Sequence, residues 1–439
     1  MSARTLPNLQ PVVDAHKHVA LLWDERLTGR AWLAVGAAKS ILVHPPQPGA
    51  WTLWDQFVAD ATAREAWTVG WLGYELHSCL GMTQGNTPDA PRNVAAEHPG
   101  GWPSLHWWEP ELLLEWAPGE LKPSAVFGAS LPWAQEVLTC LDAPASDPRD
   151  PADWEGEWQA LSPSWDRETY LDKFNAVKAA LKRGDIYEMN LCMPWQGQAP
   201  GQASWSLFER LASATKAPHS AYIQAGDHRV LCASPERFLE KRGQTLRSQP
   251  IKGTVRRGAS LEEDEALKRS LLESEKERAE NVMIVDLVRN DLSRVAQPNS
   301  VEVDELFGLH TFSTVHQMIS TVSCQIQPQA TAEDVLRATF PMGSMTGAPK
   351  LSAMDLIASL EGLGRGVYSG TIGYVDAQGD WDFNVVIRSL MHRADNGRVD
   401  ATVGGALTLL ADGDDEYDEC LLKVAALKTC LERVGRVGP

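Results

Sequence analysis

The chain has 439 residues, 44% of them hydrophobic, and a formal net charge of −18. That size and apolar content support two or three domains, or one large one, and exclude disorder as the default; the acidic balance argues against a nucleic-acid or anionic-membrane surface. Seven scattered cysteines with no CxxC pair indicate neither a disulfide framework nor a zinc site. With no apolar signal core and no run of membrane-spanning length, a soluble protein of the reducing cytoplasm is expected.

Residues 1–150 read as mixed structure with short apolar strands such as Ala31 to Val35 and Thr68 to Tyr74, punctuated by glycine. Most of the 17 tryptophans lie there and read as rigid bulk in a sheet core. Residues 86–103 are expected to form a loop. The proline-rich and acidic stretch 143–164 is expected to be a boundary before a second region, 165–432, with both regions merged into one globular unit.

Tyr170, Phe174, Val177 and Leu181 recur at helical spacing, predicting a helix over 167–183 that ends before Gly184. A strand is expected from Ile186 to Cys192 and a helix over 204–214. Strands at 221–224 and 230–233 follow, turning at Ala225-Gly226-Asp227. Glu236 then follows a proline at a strand end, where a carboxylate can be aimed into a cleft. In Pro250-Ile251-Lys252-Gly253-Thr254 a proline fixes φ and a glycine lets a ligand come close. A lysine held in such a partly apolar pocket can lose its proton and act as a nucleophile; a solvated turn lysine is the alternative.

Ser274 and Glu277 form a capping-box pattern for a helix of roughly 275–295. Glu277 and Glu280 share a face of it and could chelate a hard cation; a capping residue beside one solvated acid is the alternative. A strand at 321–326 and a helix at 332–338 lead to the Gly- and hydroxyl-rich loop 340–350, which could offer backbone N–H groups to an anion at the next helix start. Strands are expected at 368–375, 383–390 and 398–403. Arg388 lies inside the second, where an arginine needs a carboxylate partner. Gly404-Gly405-Ala406 interrupts the third. In the last helix, beginning at 412–415, Glu416, Glu419 and Lys423 share a face and give a second acid pair.

The stretches SPERFL, PIKGT, NVMIVDLVRNDLSRVA, PMGSMTGAPK, GVYSGTIGY, VVIRSL and VGGALTLLADGDDEYDECLLK, in that order, resemble the chorismate-utilising enzymes. That family includes the anthranilate, aminodeoxychorismate, isochorismate and salicylate synthases. The resemblance is dense over about 165–430 and loose before it. It implies an α+β fold of two large antiparallel sheets packed with helices around a central cleft. It implies Mg²⁺ on Glu280 and Glu419, supported by Glu277 and Glu416, and Glu236 as general acid. Arg388, Tyr368, Gly404, Gly405, Thr346 and Lys423 would bind substrate. Lys252 stands where the anthranilate and isochorismate enzymes usually carry alanine, which points to the aminodeoxychorismate branch. That branch converts chorismate and ammonia to 4-amino-4-deoxychorismate, for 4-aminobenzoate and folate synthesis, through a lysine adduct. Anthranilate synthesis, with loss of pyruvate, is the nearest rival. Glu188 stands where ammonia-using members more often have Gln, and Gln317 where anthranilate synthases have His. No glutaminase nucleophile elbow is visible, so ammonia is expected from a separate glutamine amidotransferase subunit. Some members of the family hold a tryptophan.

Overall fold

The computed structural model describes residues 4–26, 29–79, 97–142 and 154–432. Its strands pair antiparallel into an 11-stranded and a 10-stranded sheet among the described residues. The larger runs from Gly347–Ala348 through Glu188–Gln198, Arg398–Leu407, Ser389–Arg393, His228–Ser234 and His219–Ala225. It continues to His18–Trp23, Ala31–Val35, Leu112–Trp116 and Ser124–Phe127. The smaller begins at Ile251–Arg256, Val315–Gln325, Thr245–Gln249 and Arg237–Arg242. It ends with Trp381–Asn384, Thr371–Val375, Thr68–Leu72, Leu105–Glu109 and Lys39–Val43. Both sheets thus draw strands from either side of residue 150.

Side-chain alternation explains the layering. In His18–Trp23, Val19 and Leu21 join one core and Ala20 the other. The first core packs the larger sheet against helices, including Arg167–Arg183, Ser204–Thr215 and Gly413–Leu431. The second fills the space between the sheets, where Trp71 and Trp108 lie, and continues over the outer face of the smaller sheet, where Trp107 meets Trp54 of the helix Ala50–Ala63; all four are fully buried. Trp54 meets Trp107 nearly edge-on at 5.7 Å, so these indoles supply the bulk that packs that helix on the smaller sheet.

The helix Arg167–Arg183 ends on Gly184 in the left-handed region, at φ 79°. Much of the expected loop 86–103 and boundary 143–164 lies outside the described residues. The described part of the boundary includes a strand, Gln159–Pro163, paired to Glu188–Gln198, because Leu161 is buried beneath it. The acidic run at the last helix folds as structure: Asp412 caps the helix, and Arg167 ties Asp414 to Asp418. No helix among the described residues is long and apolar enough to cross a membrane.

Candidate active site

Two short segments carry the chain from one sheet to the other. Ser234 ends a strand of the larger sheet and Arg237 begins one of the smaller; Asn384 and Ser389 stand in the same relation in reverse. Glu236 sits in the first crossing and Arg388 in the second. The crossings are tied by hydrogen bonds from Val385 N to Glu236 O and from Ala233 N to Arg388 O. Arg388 is therefore not inside a strand, as its apolar neighbours suggested. It makes the turn between sheets at φ 51°.

Both residues line a cavity of about 610 Å³, together with Lys252, Tyr368, Gly404, Lys423 and all four predicted acids. Burial pushes the Glu236 carboxyl up to about 7, against the pull of Ser344, Lys252 and Arg388. Glu236 can therefore hold a proton near neutral pH. Burial draws the Arg388 guanidinium below its ordinary value, with Glu236 pulling the other way.

Lys252 Nζ donates to Glu188 Oε1 at 2.8 Å and lies 3.6 Å from Glu280 Oε2, with the lysine side chain 10% exposed. Burial alone would lower the amine, but Glu188 and Glu280 outweigh it and hold it above its usual value. This corrects the expectation of a neutral lysine drawn from Pro250 and Ile251. The resting amine is charged, and the deciding carboxylate comes from a strand of the other sheet.

The acids come from two helices. Ser274 Oγ accepts from Glu277 N at 3.3 Å, the first half of a capping box, and the Glu277 side chain lines the cavity. Glu280 lies one turn on and is buried. Glu416 and Glu419 come from Gly413–Leu431. Burial and the nearby Glu419 push Glu416 up to about 7. Lys423 bonds Glu419 at 2.7 Å and outweighs burial there, holding that carboxyl low. Lys276, with no role assigned from the sequence, stands 3.6 Å from Glu416. Among the described residues no three acidic, histidine or cysteine side chains converge enough to enclose a metal. An all-carboxylate set of this kind suits a hard cation that keeps most of its waters and takes one or two protein oxygens.

Gly404 and Gly405 do not interrupt the sheet; they lie within the strand Arg398–Leu407. A side chain at Gly404 would begin 2.4 Å from Leu191 O, and one at Gly405 would begin 2.7 Å from Glu416 Oε2. Lys423 Nζ also donates to Gly404 O at 2.7 Å. Tyr368 is buried, its hydroxyl 3.6 Å from Cys192 Sγ. Gln317 lines the cavity and donates to Thr254 Oγ1, whereas His316 pairs with Asp264 and Thr311.

Thr346 does not line the cavity. It is fully buried and its hydroxyl is directed to the carbonyls of Met342 and Gly343. The loop instead presents Ser344 and Met345. It is fixed by Lys350, whose ammonium bonds Asp291 Oδ2, Thr339 O and Pro341 O. Lys350→Met should strand the buried Asp291 carboxylate and cost about 3–5 kcal/mol. Urea denaturation should show this as a lower midpoint at unchanged slope.

The model of the family described as chorismate binding enzyme matches residues 18–429. The chain belongs to the chorismate-binding enzyme family. It is 37% identical to an aminodeoxychorismate synthase of Streptomyces griseus, over 84% of this chain and 50% of that one. It is 41% identical to an aminodeoxychorismate synthase component 1 of Klebsiella aerogenes, over 63% of this chain and 60% of that one. This family member thus spans half to three fifths of the length of these relatives. The crystal structure of anthranilate synthase component I from Streptococcus pneumoniae TIGR4 superposes with a TM-score of 0.75, covering 92% of each chain at 24% identity. This likeness shows the chorismate-binding fold of two antiparallel sheets and helices.

Proposed function

We propose that this chain is the chorismate-aminating component of an aminodeoxychorismate synthase. The observation that carries this reading is Lys252 beside a protonatable Glu236 in one cavity. The names of the Streptomyces and Klebsiella relatives support it.

Chorismate is a dicarboxylate with a hydroxyl at C4. Arg388 offers a forked donor set to one carboxylate, and the cavity shields the reacting ring from bulk water. Lys252, its proton passed to water, attacks C2. Glu236 protonates the departing C4 oxygen, both ring double bonds shift by one place toward C4, and water leaves. The adduct is a secondary ammonium. Ammonia then bonds to C4, the C2–N bond breaks, and the double bonds return to their starting pattern. Glu280 and Glu419 would hold Mg²⁺, with Glu277 and Glu416 behind; when bound it neutralises the ring carboxylate. Ammonia would come from a separate glutamine amidotransferase subunit.

The test is to incubate the purified chain with chorismate, Mg²⁺ and ammonium, then add a lyase. 4-Aminobenzoate is expected; fluorescent anthranilate in its place would overturn the reading. Chelation should abolish turnover and added Mg²⁺ restore it. Turnover that survives EDTA would remove the metal role of the four acids.

A further inference from the structure

Arg365 lies behind the cavity wall, is 3% exposed, and has no part in the reaction above. A guanidinium has five N–H donors, and at that burial each needs an acceptor. Nε and Nη2 form a fork with Glu361, at 2.8 and 2.6 Å. The remaining donors reach three separate pieces of chain: Asn190 O at 3.1 Å, Met345 O at 2.7 Å and Ser369 Oγ at 3.1 Å. Asn190 and Met345 both line the cavity. Glu75, from the N-terminal region, accepts from the Arg365 and Gly366 amides at 2.5 and 3.0 Å. The backbone and the head group of the arginine are thus both held.

Ser369 is where this network meets the substrate ligands. It follows Tyr368, is fully buried and adopts φ 61°, a left-handed backbone that a serine holds only where its surroundings impose it. Arg365 holds its hydroxyl, and its N–H donates to Val386 O at 2.9 Å, in the crossing that carries Arg388. Glu361 also accepts from Cys192 N at 2.9 Å, and Cys192 Sγ is the atom that faces the Tyr368 hydroxyl. One arginine therefore ties the turn that carries Tyr368, the strand beside its hydroxyl and the crossing of Arg388.

We propose that Arg365 is a positioning residue for chorismate, acting through Tyr368 and Arg388 without touching the substrate. This rests on chorismate being the substrate and on those two side chains holding its carboxylates.

The test is kinetic. Arg365→Lys keeps a cation beside Glu361, but its donors sit on one nitrogen and cannot span the three segments. It should raise the KM for chorismate about tenfold or more, the scale of a hydrogen bond to a charged group, and leave the ammonium KM as it is. Tyr368→Phe should raise the chorismate KM by itself. The Arg365→Lys/Tyr368→Phe double variant should then be no worse than Arg365→Lys alone, because the hydroxyl is already displaced. A role in stability alone predicts that the two losses multiply. That result, or an unchanged chorismate KM in Arg365→Lys, would overturn the proposal. Ser369→Ala breaks one bond of the network and should raise the same KM about threefold. It decides the matter if Arg365→Lys does not fold, and an unchanged KM there would overturn the proposal too. If the wild type forms no aminated product, the proposed function falls. Chorismate affinity of the same variants, by calorimetry in a Lys252→Ala background, still decides whether Arg365 positions the substrate.

Discussion

Lys252→Ala should lose the covalent adduct entirely and slow turnover on the order of 10³-fold or more, the scale on which a covalent nucleophile acts. Intact-mass analysis of enzyme quenched with chorismate should show a shifted species for the wild type and none for the variant. Lys252→Arg should fail equally, because a guanidinium keeps its charge and cannot attack. An adduct of equal yield in Lys252→Ala would place the nucleophile elsewhere. The setting favours the lysine: it is inside the cavity, next to Glu280, and not in bulk water.

Glu236→Gln should cost about 10²–10⁴-fold in kcat/KM, the range of a positioned general acid. Burial raises this carboxyl to about 7, and it works only while protonated. The wild type should therefore lose kcat/KM as pH rises through about 7, and the glutamine variant should lack that limb. A pH–rate profile checks both at once. An unchanged basic limb in Glu236→Gln would assign the acid to another group.

The elements that were legible in the sequence are those whose signals are local. The helix Arg167–Arg183 has its apolar stripe and its Gly184 stop, and Gly413–Leu431 has its Asp412 cap. The two acid pairs followed from spacing alone, since three residues apart on a helix means one face. Contacts across the two sheets were not legible. Pro250 and Ile251 describe only the lysine's own strand; the carboxylate that sets its charge is 64 residues away on the other sheet. Arg388 was placed inside one strand because no turn residue separates Asn384 from Ser389. The strand Glu302–Thr311 gives no alternating signal, since its first half is exposed and acidic. Thr346 is a substrate ligand by the family resemblance alone, but its hydroxyl closes the loop's own turn.

The paired sheet crossings bear on how this enzyme could move. Glu236 and Arg388 ride on one joint, so sliding of one layer over the other would carry acid and guanidinium together. The bridge from Lys252 to Glu188 spans the same gap with no backbone of its own to hold it. Any such shear would be registered first as a change in where the nucleophile stands.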